Sequence, residues 1–349
     1  MIGSLPSLSG SSPPSVRRPI IAVKTGGTSW RTIVTSLRID SGLAPHADGS
    51  VIDAAAAYAP DAKPGDPIVI RAGYEDSGTA VVFTGEIDTI ERTTRGLIRV
   101  MAINGGALLA RHRPAISFEQ RSAADIVRSL ADEASVSVGS LERGATLPHV
   151  VCDGRASALD IVAAMALRSG LAAWIDASGS LQMKALGGGR AAVEFGFGVN
   201  ILSAESMSHG PWPGAVRIIG EGASGSQGSA AASWIVKDPT SVTKESGSGS
   251  PRVVHRDAAV RTPEAAESLA SAVADRAGRA QRSARFVVSG ALEVGPGSLF
   301  KVDARSGPAS LGGEWVAMRI EHTIDSTSGF RTTIHAVSGG ESGLLGGLL

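Results

Sequence analysis

The chain has 349 residues, with 33 Lys+Arg against 33 Asp+Glu and a formal net charge of zero. A surface built to hold a polyanion carries a basic excess, so this balance argues against nucleic acid or an anionic membrane as the partner. Only 19% of residues are charged, 44 are glycine and 43% are apolar; that excludes a disordered chain and suggests a turn-rich β protein that covers part of its surface with partners.

At roughly 150 residues per domain the length corresponds to two or three packed units, enough to bury a core without disulfides. The single cysteine, Cys152, can make neither an intrachain disulfide nor a cysteine-rich zinc site. It sits in a short strand-like run, His149 to Asp153, and reads as a small buried hydrophobe, with a reactive thiol as the alternative. No apolar run reaches the roughly 20 residues of a membrane span. Residues 1–18 are rich in Ser and Pro and lack the charged start and apolar segment of a secretory signal. They read as an extended arm on a protein made in the cytoplasm.

From Pro19 to Asn104 the pattern is a meander. Pro19 to Lys24 is a β-run followed by the Gly26-Gly27 turn signal. Trp30 to Asp40 reads as a second strand, with Ile33, Leu37 and Ile39 at its apolar positions. The turn Lys63-Pro64-Gly65-Asp66 launches Pro67 to Ala72. Thr79 to Arg92 is one long strand with a bulge expected near Thr84-Gly85, and Leu97 to Ala102 follows a further turn. Strands at this spacing build a sandwich or barrel.

The pattern changes near Gly105. Ser122 precedes Asp125 and the helically spaced Ile126, Val127, Leu130 and Ala134. Ser157 precedes a second amphipathic stretch with Leu159, Val162 and Ala166, ending near Gly170. Its apolar face is expected to pack on Trp174 and Leu181, which lie in the runs 171–176 and 180–184 flanking the hairpin turn Ala177-Ser178-Gly179. Residues 105–190 thus read as a small α+β unit.

Beyond it the chain is β again, with runs at 193–195, 200–208 and 215–220. Residues 221–251 hold many Ser, Gly and Ala around one β-run, Ser233 to Val236, and are expected to be weakly ordered. Thr262-Pro263-Glu264 opens a helix to about Ala280. Strands at 284–292, 299–304, 314–324 and 330–337 close the block. In the tail, 339–349, glycines separate Leu344, Leu345, Leu348 and Leu349. The glycines between them give no strong helix or strand preference, and the leucines read as a partner-docking segment, the alternative being a frayed end.

Several of these pieces, in order, resemble the baseplate hubs of contractile injection machines, the phage late-control D proteins and the hub part of type VI secretion VgrG proteins. Phe83-Thr84-Gly85-Glu86 followed by Leu97 to Ala102 is similar to the family's paired strands before a new subdomain. Arg113 to Phe118 with Ser122 to Val127 resembles its short strand and helix. Ser157 to Val162 leading to Trp174-Ile175-Asp176-Ala177-Ser178-Gly179-Ser180-Leu181 is the most distinctive piece. Gly295-Pro296-Gly297, and Glu314 to His322 with Gly329 to Thr333, resemble the closing strands. The series spans about 19–338.

The resemblance implies an α+β, mainly β fold with two tube-like antiparallel β-barrel domains and an inserted small α+β domain. The first barrel would be 19–104 completed by strands at about 191–208, the insertion 105–190, and the second barrel 213–338 with one helix at about 262–280. It also implies a homotrimer in which three copies of two barrels make a ring of six. That ring would join a hexameric tail tube to a trimeric spike, with baseplate wedge proteins and the tape measure protein as further partners. Larger relatives continue into an oligosaccharide-binding-type domain and a β-helical spike. Here eleven residues follow Ser338, so a separate spike protein is expected.

The residues offer little chemistry beside this. No two of the seven histidines have H-x-x-x-H spacing; His322 and His335 could be neighbours across the last two strands, but a metal site needs a third ligand. No G-x-S-x-G elbow or phosphate loop occurs. Gly187-Gly188-Gly189 and Gly220-Glu221-Gly222 read as linkers. Asp132-Glu133 reads as a solvated helix face rather than a glycosidase pair, and Trp30, Trp174, Trp212, Trp234 and Trp315 as core or interface anchors. No catalytic residue, metal or cofactor is expected. A tail-tip peptidoglycan hydrolase and a carbohydrate-binding β module are the competing classes.

Overall fold

The computed structural model describes residues 17–30, 34–58, 61–94, 96–188, 191, 193–210, 213–221, 242–303, 305 and 307–339. Among them the first β set comprises β1 (Pro19–Thr25), β2 (Thr28–Ser29), β3 (Val34–Gly42), β4 (Gly49–Ala55), β5 (Pro67–Tyr74), β6 (Gly78–Arg92) and β7 (Leu97–Ile103). Then come α1 (Gly105–Arg111), β8 (Ala115–Ser122), α2 (Ala123–Glu133), β9 (Val138–Leu141), β10 (Thr146–Asp153), α3 (Ala158–Arg168), β11 (Ala172–Ile175) and β12 (Leu181–Lys184). The rest is β13 (Glu194–Gly196), β14 (Ile201–Ser208), β15 (Ala215–Ile219), β16 (Thr243–Gly247), β17 (Arg252–Arg256), α4 (Pro263–Ala280), β18 (Arg282–Ser289), β19 (Leu299–Asp303), β20 (Gly313–Asp325) and β21 (Gly329–Ser338).

Local chemistry explains the boundaries. Gly26 and Gly27 take positive φ (54° and 84°), as a two-residue hairpin loop requires, so β1 folds directly onto β2. Trp30 is not part of the next strand; its backbone N–H bonds Val23 and its indole donates to Thr25 Oγ1 at 2.9 Å. Ser122, Ser157 and Thr262 cap α2, α3 and α4, and Ser157 with Asp160 forms a complete capping box, satisfying amides at the helix start that have no intrahelical acceptor.

One antiparallel sheet dominates, in the order β14-β18-β21-β20-β3-β4-β7-β6-β5-β1-β2, with β13 and β19 attached to β20. The hairpin β20–β21 serves both halves. The start of β20 pairs with β19, through Leu299↔Val316 to Val302↔Gly313. Its end pairs with β3, through Arg319↔Gly42 to Asp325↔Ser36. The change of partner coincides with a bulge at Met318, whose carbonyl accepts from Leu43 N–H. Bulges bend a strand and increase its twist, which lets one strand leave one curved sheet and enter another.

Two cores follow. Val23, Ile39, Ile52, Ile70, Phe83 and Val100 fill the first β set, joined by Ile324 and Phe330 from the hairpin tip. Phe195, Phe286, Phe300 and Trp315 fill the second, with Ile320, Ile334 and Ala336 from the hairpin base. Three edge-to-face contacts link those four rings, at 5.3–5.6 Å between centroids, a geometry that aligns ring edges with ring faces. The Trp315 indole N–H donates to Leu311 O at 3.0 Å.

A third core belongs to 105–184: Ile126, Leu130, Leu159, Val162, Met165 and Leu181 bring α2 and α3 onto the small sheets β8–β10 and β11-β12-β9. Trp174 is not on that face; it is half-buried and lies against Gly297, where an added Cβ would come within 3.2 Å of the indole. A fourth core joins α4 to the sheet β16-β15-β17 through Val216, Ile218, Val242, Val260 and Leu269.

Several sequence expectations are corrected. The long β6 is bulged at Val82 and Asp88 rather than at Thr84-Gly85; Gly85 is needed because its Cα faces the Ile103 carbonyl, where a Cβ has no room. Strands at 194–196 and 201–208 do not complete the first set: β13 pairs with β19 and β14 with β18. Residues 243–247 of the Ser/Gly-rich stretch form β16 against β15, whereas the β-run 233–236 lies outside the described residues. Gly187 and Gly220 are packed positions, not loose linkers. A Cβ at Gly187 would meet Val316 at 2.9 Å, and one at Gly220 would meet Val242 at 2.6 Å.

Candidate assembly surfaces

The titratable groups are largely spent on structure. Along the β3–β20 ladder Arg319 holds Asp40 through both sides of its guanidinium, and Arg38 meets Glu321 at 2.7 Å. Burial pushes the Asp40 carboxyl up, but the Arg319 bond, His46 and the neighbouring guanidinium charges outweigh it and hold it below the ordinary carboxylate range. Arg99 pairs with Asp53, Arg111 with Asp88, and Arg217 and Arg252 share Glu245. Such pairs neutralise the outer faces and leave little net charge to steer a charged ligand.

Two of the buried polar groups, Asp48 and His322, are held by the fold, whereas Ser50 Oγ is buried without a hydrogen-bond partner among the described residues. Asp48, 3% exposed, accepts from Gly42 N–H at 2.9 Å and from Asn104 Nδ2 at 3.0 Å, and burial pushes it up to about 7. Asn104 caps α1 by accepting from Gly106 N–H. Asp48 therefore ties the β3–β4 loop to the first helix of the inserted segment. The same loop bonds β11 through Ala44 N–H and Ala173 O. His322 is buried with Nδ1 2.9 Å from Thr332 Oγ1, and burial lowers its pKa to about 4.

The residues singled out for chemistry stay apart. His322 faces Thr332 inside the sheet, while His335 faces Arg319 on the exposed side, so these two histidines do not meet. Cys152 is buried, and burial raises its thiol pKa, which suits a core residue rather than a nucleophile. Asp132 and Glu133 are exposed on α2, and Glu133 lies 3.0 Å from His112 Nε2. No three His, Cys, Asp or Glu side chains cluster as metal ligands among the described residues. Leu344, Leu345, Leu348 and Leu349, together with Trp212 and Trp234, lie outside the described residues.

What the surface offers is strand edges and exposed apolar side chains. At one end of the sheet β14 pairs with no strand but β18 among the described residues, and it carries Leu202 and Met207 at 56% and 60% exposure, with Val199 just before it. At the other end β1 pairs with β2 at Lys24 and Thr25, so among the described residues 19–22 present an edge with Ile20 exposed. Sequence reasoning missed β14 as an edge, because an alternating run does not reveal which neighbour is lacking. Exposed edges and clustered apolar residues mark contact surfaces in a soluble protein.

A family model described as "Phage tail baseplate hub (GPD)" matches residues 49–328. The chain belongs to that family. Membership makes it a structural component of a phage or phage-like tail, located in the virion tail and baseplate. Comparison with curated protein sequences gives no match. Among solved structures, the chain resembles the 43 kDa tail protein of prophage MuSo2 from Shewanella oneidensis, at 16% identity and TM-score 0.68, covering 92% of this chain and 98% of the other. It resembles a tail protein from Neisseria meningitidis equally well, at 14% identity, TM-score 0.68 and coverage of 92% and 96%. An E. coli component of the type VI secretion system, itself described as similar to the T4 tail proteins gp27 and gp5, matches at 13% identity and TM-score 0.61, over 91% of this chain and 77% of that one. At these identities the likeness speaks for the fold: a mainly β hub with helical segments, as the sequence led one to expect.

Proposed function

We propose that this hub is the homotrimeric, non-catalytic adaptor of a contractile machine, joining a hexameric tail tube to a separate trimeric spike. The observation that carries the reading is the hairpin β20–β21, which joins two β sets, each with its own core, into one continuous sheet. Three copies of a two-barrel chain supply six similar barrels for a six-fold tube, while keeping three-fold symmetry for the spike. We take the barrels as residues 19–103 and as 193–208 with 282–338; residues 105–190 are inserted between them. The exposed ends of the sheet, β14 and β1, are the natural seams between neighbouring copies, because they bring unpaired backbone and apolar side chains together.

On this reading the wedge and tape measure proteins meet the same hub. Leu344, Leu345, Leu348 and Leu349 dock on the spike or an adjacent hub subunit. Co-expression with the tube and spike proteins tests the adaptor role: the full chain should co-purify with both, and a chain truncated after Ser338 should stay folded but lose spike. If the truncated chain recruits spike as well as the full chain does, the tail has no docking role. The non-catalytic reading is tested by cell-wall turbidity. The purified hub should leave it unchanged, and clearing that survives removal of contaminating hydrolases would contradict it.

A further inference from the structure

A cleft of 540 Å³ opens between β10, α3 and the segment that leaves β17. Its walls include four consecutive residues, His149 to Cys152. Successive strand side chains point to opposite faces, so four in a row can line one cavity only where the strand turns its edge toward it. β10 pairs with β8 alone among the described residues. Every second residue on its other edge therefore directs an N–H and a C=O into the cleft. The opposite wall is His255 and Arg256, the end of β17, which is itself the outer strand of its sheet.

The floor is apolar, formed by Ile161, Ala164 and Met165 of α3 with Leu269 of α4. Val151, at the mouth, is 63% exposed. Three of the charged groups in the cleft are already used. Arg168 is bound through two bonds, at 2.7 and 2.9 Å, to Asp257, and Asp160 closes the cap of α3 on Ser157. Arg256 is exposed at the end of β17, and His149 and His255 line the same cleft. Such a cleft asks for a backbone to complete β10, apolar side chains for its floor, and an anionic side chain opposite Arg256.

We propose that this cleft receives an extended segment of another polypeptide, with alternating apolar and acidic residues, which adds to the edge of β10 as a third strand. Strand addition draws affinity from main-chain hydrogen bonds and specificity from alternate side chains, and both are provided here. The proposal rests on the geometry of one chain and holds whatever the copy number of the hub in the particle.

Val151, exposed at the mouth of the cleft, replaced by cysteine (Val151→Cys) in a Cys152→Ser background, reports occupancy by its rate of modification. The full-length chain would be treated with a thiol reagent alone and with three six-residue peptides: one alternating Val and Glu, one alternating Val and Lys, and the Val/Glu peptide N-methylated along one edge. The Val/Glu peptide should slow modification about tenfold at saturation. The N-methylated peptide should not protect, because it lacks the donors a strand needs, and Arg256→Glu should shift the preference to the Val/Lys peptide. Protection by the N-methylated peptide, equal protection by both charge types, or none by the Val/Glu peptide would overturn the proposal. So would concentration-dependent protection without peptide that Arg256→Glu abolishes, since a second copy would then be the occupant.

Discussion

Arg319 of β20 grips Asp40 of β3 across the ladder that joins the two strand sets, its Nε 2.7 Å from Asp40 Oδ1. Asp40 stands opposite Glu321 in that register, so removing the guanidinium leaves two like charges facing each other. Arg319→Ala should cost about 1–2 kcal/mol in chemical denaturation, more than an isolated surface pair, because the contact is two-pronged and half-buried. The folded carboxyl is held below its usual value, so this stabilisation is present above the unfolded pKa and is lost as the pH falls through the lowered one. An Arg319→Ala protein as stable as wild type at neutral pH would show that the seam does not depend on this pair.

Asp48 gives the opposite pH slope. Its folded pKa of about 7 lies above the ordinary value of 3.8, so the folded state holds the proton more tightly. The contribution is full below pH 3.8 and is lost as the pH rises through 7, by about 4 kcal/mol in total. Asp48→Asn removes a titrating group and keeps an acceptor for Gly42 N–H. Relative to wild type its stability should rise with pH between 4 and 7, because the Asp48 contribution lost over that window is gone, and an unchanged slope would contradict the assignment.

His322 works against Asp48. Burial lowers its folded pKa to about 4 from 6.5, so its contribution is present above pH 6.5 and is lost as the pH falls toward 4, by about 3 kcal/mol. The wild-type profile should therefore be nearly flat from pH 6.5 to 4. His322→Gln should become more stable on acidification, and Asp48→Asn less stable. Denaturation curves at pH 4.5 and 6.5 check both signs.

Leu159 is 3% exposed on the buried face of α3. Leu159→Asp places an unpaired charge among Val162, Met165 and Leu181 and should cost about 3–5 kcal/mol. Amide exchange should rise across α2, α3 and β10 and much less in β20 and β21, which belong to other cores. Uniform loss of protection would mean that the cores unfold together.

Much of this architecture is legible in the residues. Ser122, Ser157 and Thr262 announce three helices because their hydroxyls have one obvious use, and Gly26-Gly27 and Ser328-Gly329 announce turns. β4 and β9 are hidden because Ala-rich and Ser/Gly-containing runs carry little strand signal until a neighbour supplies the ladder. α1 is hidden because Gly105 and Gly106 disfavour helix; the Asn104 cap and its bond to Asp48 supply what propensity lacks. The larger failure concerned partners. Periodicity places Ile201 inside and Leu202 outside, but it does not say that β14 joins β18 rather than the first set, because that pairing is made by residues more than 70 positions away. The cleft beside β10 is hidden for the same reason: an unpaired edge is a property of the sheet, not of the strand.

The exposed side chains of β14 separate folding from assembly. Leu202→Glu with Met207→Glu should leave the melting temperature of the isolated chain within about 2 °C, since surface changes cost little, and should abolish self-association. A large loss of stability would mean that these residues are already buried in the single chain.

The copy number of the hub between tube and spike decides whether it adapts one symmetry to the other. A reconstruction of the assembled particle, or mass photometry of the hub purified with tube and spike, measures it directly. Three copies are expected, each contributing two barrels to a ring of six; six copies, or a single one, would contradict the adaptor role.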